Sequence, residues 1–316
     1  MRRKQPRLAC LGDLTLDIVV RADTGVEAGT DVPGVVRFRV GGSAANTARS
    51  FAGLGGKAVF IGAIGDDELG GRLTAALRAA GVTVHTPRVR GRSARLLAMV
   101  AADGERSFIT DRGVADALTP AMLKSAWLVR VDALHLPAYS LLRAPLADAA
   151  YLAADRARAS GALVSVDLAS RRPLLADGRR RAREVISRAA PDILFANEGE
   201  AAAVVGRGEP ERLLELAWVV VIKQGGRGCR VLARGEDGEV VQSSVATKRI
   251  AAADTTGAGD AFDAGFLYSL IASGYRASAE TGSASRGSVA VLRRAALAGH
   301  RAAARLLTAK RTELLV

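Results

Sequence analysis

The sequence is poor in the residues that stabilise small secreted or metal-binding proteins. It contains two cysteines, Cys10 and Cys229, and three histidines without metal-ligand spacing, which argues against a disulfide framework and a zinc site. Aromatic residues are only 4% of the chain, so the hydrophobic core must consist mainly of Ala, Val and Leu. No apolar run approaches the ~20 residues that cross a bilayer, and segment 8–11 is too short for a signal-peptide core. These absences predict a soluble, cytoplasmic protein that does not associate with membranes.

Negative charge is scarce relative to positive charge, and the formal net charge is +13. A basic surface can bind nucleic acid, but the arginines are scattered over many segments, with local clusters such as 179–181. No aromatic residues are interleaved with them for stacking on bases. An Arg- and Ala-rich coding bias explains the charge better than nucleic-acid binding does, and the charge should still help to attract anionic nucleotides.

Apolar segments alternate along the chain with segments of helical periodicity. This alternation predicts an α/β fold in which helices cover both faces of a mostly parallel sheet. Strands are predicted at 8–11, 57–64, 133–136, 163–167, 193–196 and 219–223. Helices are predicted at 46–54, 67–80, 141–158, 179–189, 198–205 and, near the C-terminus, 289–307. No repeat or Pro-rich linker divides the sequence, so residues 1–316 are expected to form one domain.

The most informative run is 254–262, Asp-Thr-Thr-Gly-Ala-Gly-Asp-Ala-Phe, which leads into an apolar stretch. A turn of small residues at a helix start leaves backbone N–H groups unpaired at the positive end of the helix dipole. Such a turn suits a phosphate or a developing anion. Asp260 at its edge is placed to take a proton from a hydroxyl nucleophile, although an Asp there could simply cap the helix. An anion hole beside a base predicts phosphoryl transfer to an alcohol.

This run resembles the second signature of the ribokinase-like (PfkB) family of carbohydrate and nucleoside kinases, and the match extends to Leu267. An upstream run, 41–48, Gly-Gly-Ser-Ala-Ala-Asn-Thr-Ala, resembles the first signature and precedes the second in the family's order. The resemblance implies a ribokinase-like fold. It also implies that segments 17–40 and 95–110, which interrupt the alternation, form a small β-sheet lid over the sugar site. The second segment predicts a hairpin with its turn at 101–104, and the lid edge could support a homodimer.

The resemblance also assigns roles to particular residues of this sequence. The general base is Asp260, and the N–H groups that stabilise the transferred phosphoryl group belong to Gly257, Ala258 and Gly259. The acceptor is held by Asp17, Gly41, Gly42 and Asn46. The nucleotide is bound by Asn197, Lys223, Gly225, Gly228 and Thr256. The cofactors implied are ATP and Mg²⁺, the latter organised by Glu200, partly through water. Dependence on K⁺ is left open, with Asp254 as a possible ligand.

Several of these residues have a simpler structural interpretation. Asn197 could be a helix N-cap followed by an acidic first turn, and Asp17 could be a residue of the lid turn. Asp254 could hydrogen-bond its own backbone, and a second Asp-Asp pair, 66–67, is explained fully by N-capping. A Walker-type phosphate loop is excluded, because no Gly-x-x-x-x-Gly-Lys-Ser/Thr run is present.

The sequence therefore predicts an ATP-dependent phosphotransferase acting on a hydroxymethyl group of a sugar or sugar acid. A nucleoside kinase of the same family and a non-catalytic sensor of sugar or nucleotide are the alternatives. Further residues that could select the acceptor or lie near it are Asp13, Arg106, Asp111, Arg112 and His135. The C-terminal helix lacks the family's usual closing pattern, and segment 282–287 is a possible replacement for its cation-binding loop.

Overall fold

Strands and helices alternate through the computed structural model, which describes residues 5–26, 28–100, 106–234, 238–252, 254–275, 286–310 and 312–314. The strands are β1 (Arg7–Leu11), β2 (Thr15–Ala22), β3 (Gly34–Gly41), β4 (Lys57–Ile61), β5 (Ile64–Gly65), β6 (Val82–His85), β7 (Arg88–Val89), β8 (Ala94–Val100), β9 (Arg106–Asp111), β10 (Ala133–Pro137), β11 (Leu163–Asp167), β12 (Ile193–Asn197), β13 (Val219–Lys223), β14 (Cys229–Arg234) and β15 (Val240–Val245). The α-helices are α1 (Ser43–Gly53), α2 (Glu68–Ala79), α3 (Leu146–Ala159), α4 (Arg171–Leu174), α5 (Gly178–Ala189), α6 (Glu198–Val205), α7 (Ala258–Ala272) and α8 (Arg286–Thr308).

The central sheet has nine strands in the order β15-β14-β13-β12-β11-β10-β1-β4-β6. Strands β6 through β13 of this sheet pair in parallel, whereas β14 and β15 add an antiparallel edge. The chain order runs outward in both directions from β1 and β10. In open α/β sheets a crevice forms at such a switch point, at the carboxyl ends of the strands. The predicted α/β class and mostly parallel sheet are confirmed.

Both faces of this sheet are buried, which explains why its strands are almost continuously apolar. One face packs on a core that includes residues of α3, α5 and α6, and the other on a core that includes residues of α1, α7 and α8. The few aromatic residues are concentrated in the second core, where the rings of Phe195 and Phe266 meet edge-to-face with centroids 5.3 Å apart. Ala, Val and Leu fill most of the remaining interior, as the composition requires.

A separate four-stranded sheet has the order β3-β2-β8-β9. Strand β2 pairs antiparallel with β3 and parallel with β8, and β8 pairs antiparallel with β9. These strands come from the two segments predicted to form the lid, although the predicted hairpin turn 101–104 lies outside the described residues. The C-terminal segment contacts this sheet, since the Leu314 N–H donates to the Phe38 carbonyl at 2.8 Å.

Element boundaries differ from the predictions at a few places. The helix predicted from residue 141 begins at Leu146, directly after Pro145, and Ala138–Leu141 is a 3₁₀ turn instead, because a proline has no N–H for an interior helical bond. The strand predicted at 57–64 is divided into β4 and β5, and β6 and β15 were not predicted. None of the helices in the described ranges has the length and apolar character needed to cross a bilayer.

Candidate active site

A cleft of about 1090 Å³ opens at the carboxyl ends of β1 and of β10 to β13. All the predicted catalytic, binding and metal residues line it except Gly41 and Asp254. The predicted site residues that line the cleft are Asp17, Gly42, Asn46, Asn197, Glu200, Lys223, Gly225, Gly228, Thr256, Gly257, Ala258, Gly259 and Asp260. Segments that are far apart in the sequence therefore converge at one switch point of the sheet.

The turn before α7 has the features of an anion-binding site at one end of the cleft. Gly257 precedes the helix in the left-handed conformation, with φ 75° and ψ 3°, which a residue without Cβ adopts at little cost. The N–H of Ala258 donates to the Thr255 carbonyl at 3.1 Å. Among the described residues, the N–H groups of Gly257, Gly259 and Asp260 have no hydrogen-bond partner. The positive end of the helix dipole lies at the same place, so this turn can bind an anion.

Asp260 in the first turn of α7 is held by two donors from α1. The Ser43 hydroxyl donates to Oδ1 at 2.7 Å, and the Asn46 amide donates to Oδ2 at 3.0 Å. Withdrawal from water raises the pKa of Asp260 to about 7, with a further rise from the charge of Asp167 and opposition from the Ser43 hydrogen bond. Asp260 is therefore an oriented carboxylate whose proton affinity is suited to general-base chemistry near neutral pH.

Lys223 at the end of β13 lies beneath this turn. Its ammonium group contacts Asp167 at 3.1 Å and both carboxylate oxygens of Asp263 at 3.2 Å. Burial lowers the pKa of Lys223, but the surrounding carboxylates, Asp167 first, outweigh this and raise it above its ordinary value. A Cβ on Gly259 would lie 3.4 Å from the ammonium nitrogen. Lys223 thus ties α7 to β11 and β13, while its predicted contact with a phosphate stays a prediction.

Asn197 and Glu200 form a capping box at the start of α6. The Asn197 side chain accepts from the Glu200 N–H at 2.9 Å, and the Glu200 carboxylate accepts from the Asn197 N–H at 2.8 Å and from its amide at 2.7 Å. Burial, and then the charge of Asp167, raises the pKa of Glu200 to about 7. The carboxylates of Glu200 and Asp167 both line the cleft. Oxygen ligands of this kind suit a divalent cation that also binds a triphosphate. Within the described residues no group of three His, Cys, Asp or Glu side chains could hold a metal unaided.

The opposite end of the cleft carries Asp17 on β2. It is 7% exposed, and its Oδ1 accepts a hydrogen bond from the Thr15 hydroxyl at 2.6 Å. Burial raises the pKa of Asp17 to about 6. Gly41 lies behind it, and a Cβ there would be 2.0 Å from the Asp17 Oδ1. The absence of a side chain at Gly41 therefore leaves the space that the Asp17 carboxylate occupies. This explains the glycine at position 41 of the run 41–48, although Gly41 itself does not line the cleft.

Asp13 and Arg112 complete this end. Arg112 donates from Nε and Nη2 to Asp116 at distances of 2.6 to 2.9 Å, and its Nη1 lies 3.8 Å from Asp13. The guanidinium also lies 5.5 Å from the centre of the Tyr139 ring. Asp111 instead pairs with Arg92 near the surface, and the side chain of Arg106 lies outside the described residues. Of Asp111 and Arg112, whose side chains are described, Arg112 lines the cleft and Asp111 does not.

Asp254 lies just before the turn that leads into α7. This turn and the start of α7, residues 255–260, are proposed to bind phosphate and are together called the phosphate turn. Its Oδ1 accepts the Thr256 N–H at 2.9 Å, and its Oδ2 forms an ion pair with Nη1 of Arg39 on β3. Asp254 therefore hydrogen-bonds the backbone of its own turn, as the simpler interpretation of the sequence predicted. Most of segment 282–287, the possible cation-binding loop, lies outside the described residues.

The three histidines lie in different surroundings. His135 is fully buried, and its Nδ1 lies 3.0 Å from the Ser165 hydroxyl. Burial lowers the pKa of His135 to about 4, and the ring does not line the cleft. His300 on α8 lines the cleft together with Ala303, Ala304 and Leu307. The predicted C-terminal helix thus supplies a mostly apolar wall of the cleft.

Sequence reasoning gave no role to four residues that the structure brings to the site: Ser43, Arg39, Asp167 and Asp263. Ser43 belongs to the first signature run, and Asp167 is the last residue of a predicted strand, a position that points to the ligand edge of a parallel sheet. Asp263 is the one charged residue in the apolar stretch 261–271, which was a usable signal. Arg39 carried no signal, because its partner is 215 positions away.

The chain is similar to known proteins in sequence and in structure. Residues 5–310 match the model of the pfkB family carbohydrate kinase. The chain is 30% identical to the probable fructokinase-7 of Arabidopsis thaliana, over 85% of this chain and 80% of that protein. It is 32% identical to the ATP-dependent ribose-1-phosphate kinase of Halopiger xanaduensis, over 85% of this chain and 86% of that protein. The solved adenosine kinase of Sinorhizobium meliloti is similar in structure, with TM-score 0.78 and 26% identity over 97% of this chain and 94% of that one.

Proposed function

The chain belongs to the PfkB family of carbohydrate kinases, and we propose that this ATP-dependent sugar kinase phosphorylates a hydroxymethyl group of a neutral monosaccharide. The observation that carries the proposal is the pair of features at the start of α7. A turn with available N–H groups lies next to a carboxylate that two donors orient. This is the arrangement that phosphoryl transfer to an alcohol requires.

In the proposed reaction Asp260 accepts the proton of the acceptor hydroxyl as that oxygen attacks the γ-phosphoryl group. The hydrogen bonds from Ser43 and Asn46 fix the direction of the carboxylate, which keeps the base aligned with the attacking oxygen. The N–H groups of Gly257 and Gly259 would stabilise the charge on the transferred phosphoryl oxygens. Whether Ala258 contributes depends on its leaving the Thr255 carbonyl to which it donates.

The nucleotide would lie between the Gly-rich turn 225–228 and the wall formed by α8. Mg²⁺ would be organised by Glu200, partly through water, and Asp167 is the neighbouring oxygen donor. When bound, Mg²⁺ neutralises charge on the phosphates and orients them. The Glu200 and Asp167 carboxylates also accept hydrogen bonds from Asn197 and Lys223. The chain is expected to act in the cytoplasm, where ATP is supplied.

The choice of a neutral acceptor follows from the charges at the Asp17 end. Two buried carboxylates, Asp13 and Asp17, face this part of the cleft. The cations near these carboxylates are already engaged. Arg112 donates from Nε and Nη2 to Asp116, so only part of its guanidinium can serve a ligand. Arg39, opposite Asp17 on the neighbouring strand, forms an ion pair with Asp254. Carboxylates accept hydrogen bonds from sugar hydroxyls, whereas they repel the charge of a sugar acid or sugar phosphate.

A nucleoside acceptor is the second candidate, and one observation favours it. The rings of Tyr139 and Phe108 both line the cleft, and aromatic faces stack on bases. The similarity to an adenosine kinase is consistent with this alternative. A nucleoside would need its base on these rings while its ribose occupies the site near Asp17.

The decisive experiment is an ADP-release assay with Mg·ATP across pentoses, hexoses, keto-deoxy acids, sugar phosphates and nucleosides. We expect turnover with a neutral sugar and a loss of about 10²–10⁴-fold in kcat for Asp260→Asn. The matched control is Asp155→Asn, a change at an exposed carboxylate on α3. Preference for an anionic acceptor would contradict the proposed substrate class. Equal turnover by Asp260→Asn would contradict the assigned base, and nucleotide binding without turnover of any acceptor would favour the sensor.

The small sheet is the proposed site of homodimerisation. Among the residues that the structure describes, no strand pairs with the outer edge of β9, on which Phe108 and Ile109 are 54% and 63% exposed. The opposite edge, β3, accepts a hydrogen bond from Leu314. Exposed apolar edge strands tend to be covered by pairing. Light scattering after size exclusion should give the mass of a dimer, and Ile109→Lys should give that of a monomer.

A further inference from the structure

The ion pair between Arg39 and Asp254 decides whether Asp254 fits a bound monovalent cation. One of its carboxylate oxygens contacts the guanidinium of Arg39, and the other accepts the Thr256 N–H at 2.9 Å. A positive group in contact with this carboxylate repels a second cation from it. The described residues therefore do not fit a potassium site at Asp254, a question that the sequence left open.

We infer that the guanidinium of Arg39 takes the place of a bound monovalent cation and holds the phosphate turn, so that this kinase works without potassium. The inference rests on the proposed function. Arg39 and Asp254 do not line the cleft, so Arg39 is a positioning residue that acts through Asp254 and Thr256 on the turn at Gly257.

The pair is withdrawn from water, which makes it stronger than an ordinary surface ion pair. The side chains of Arg39 and Asp254 are 13% and 24% exposed, and charges with low exposure are screened little by salt. The pair also joins the two sheets of the molecule. Arg39 lies on β3 of the small sheet, and Asp254 precedes α7, which packs on the central sheet. It is the kind of fixed internal charge that a mobile ion would otherwise supply.

The same guanidinium is linked to the acceptor end. Arg39 is the residue on β3 directly opposite Asp17 on β2. Burial raises the pKa of Asp17 to about 6, and Arg39 and Asp254 then act on it in opposite directions. One arginine thus lies between the carboxylate proposed to bind the acceptor and the carboxylate that organises the phosphate turn. Removing it should alter both ends of the cleft.

The test compares wild type, Arg39→Ala and Arg39→Lys in potassium chloride and in tetramethylammonium chloride. Wild-type kcat/KM should differ by less than about twofold between the two salts. Arg39→Ala should lose about 10–100-fold without potassium, through misplacement of the turn, and should regain activity with potassium or with low, non-denaturing guanidinium chloride. Arg39→Lys should lie between them. The control is Arg37→Ala, which removes a 52% exposed arginine from the same strand, paired with Glu313, and should behave as wild type.

A second readout does not need turnover. In the presence of ADP, potassium should raise the Tm of Arg39→Ala by about 2 °C and leave that of wild type unchanged. This outcome would support the inference even if no acceptor were phosphorylated, so it separates the inference from the proposed function. A wild-type enzyme that requires potassium would overturn the inference. So would an Arg39→Ala variant with wild-type activity, or one whose activity and Tm respond to no cation.

Discussion

The two ends of the cleft are built by different means. At the end proposed to bind phosphate, the groups available to a ligand are backbone N–H groups of one contiguous turn, 257–260, and a helix dipole reinforces them. At the end proposed to bind the acceptor, they are side chains from separate segments, among them Asp13, Asp17, Arg112 and Tyr139. Backbone groups of a turn bind a phosphate whatever the acceptor is, whereas side chains can change independently of one another. The comparison explains why the reaction class is readable from a short run and the acceptor is not.

Lys223 tests whether the phosphate end depends on support from below. Lys223→Met would leave Asp167 and Asp263 buried without their cation, so we expect a loss of about 3–5 kcal/mol in the free energy of unfolding. The measurement is urea unfolding followed by circular dichroism. Adding Asp263→Asn should restore part of the loss, and Lys57→Met at the exposed start of β4 should have little effect. A small stability change with a large rise in KM for ATP would instead indicate direct phosphate binding by Lys223.

Asp260 predicts a pH dependence, because only its ionised form can accept a proton. Its pKa is raised to about 7, so the ionised fraction falls as the pH falls through 7. We expect kcat/KM for the acceptor to fall about 50-fold from pH 7 to pH 5, approaching a factor of about ten per unit only well below the pKa. Steady-state rates across this range, with saturating Mg·ATP, measure the effect.

The source of that acid limb can be identified by variants. Ser43→Ala removes a hydrogen bond that lowers the pKa of Asp260, and should move the limb to higher pH. Glu200 and Asp17 have pKa values raised to about 7 and about 6, so both titrate in the same range. Glu200→Gln and Asp17→Asn should keep the limb despite lower rates. A profile that is flat to pH 5 would show that Asp260 is not the base.

Gly41 probes the acceptor end without changing any charge. In Gly41→Ala the new Cβ would lie 2.0 Å from the Asp17 carboxylate, so Asp17 must move. We expect KM for the acceptor to rise about tenfold, the cost of one good hydrogen bond, while KM for ATP stays the same. Gly53→Ala at the end of α1 is the matched control, since a Cβ there meets nothing within 4 Å. Equal effects on both KM values would mean that the two ends are not separable.

The sequence was a good guide to what depends on local pattern. The bounds of β11, β13 and α6 were predicted without error, because buried apolar runs that end in polar residues define them. The strands β6 and β15 were missed. They lie at the two edges of the central sheet, where half of the residues face solvent and the apolar signal is weak.

The site was predictable only as far as its residues are contiguous. The turn 257–260 and the box of Asn197 and Glu200 were found from their runs. The contacts of Lys223 with Asp263 and of Arg39 with Asp254 span 40 and 215 positions. Such pairs depend on how helices and sheets pack, so a single sequence does not reveal which carboxylate each cation neutralises.

The smallest predicted effect is a change in stability at Ala169. It tests whether the strained backbone conformation of this residue contributes to ligand binding in the cleft. It lines the cleft just after β11 with φ 56°, in the left-handed region, which costs an L-residue about 1–2 kcal/mol. Ala169→Gly removes this cost but adds conformational entropy to the unfolded chain, so the net gain should be ~0.5–1 kcal/mol in thermal unfolding. Ala190→Gly is the matched control, because Ala190 has φ 43° at the end of α5 and does not line the cleft. If both variants gain stability and only Ala169→Gly raises the KM for the acceptor or for ATP, the strained backbone at Ala169 contributes to ligand binding. If neither gains stability, the left-handed conformation is not a source of strain at these positions.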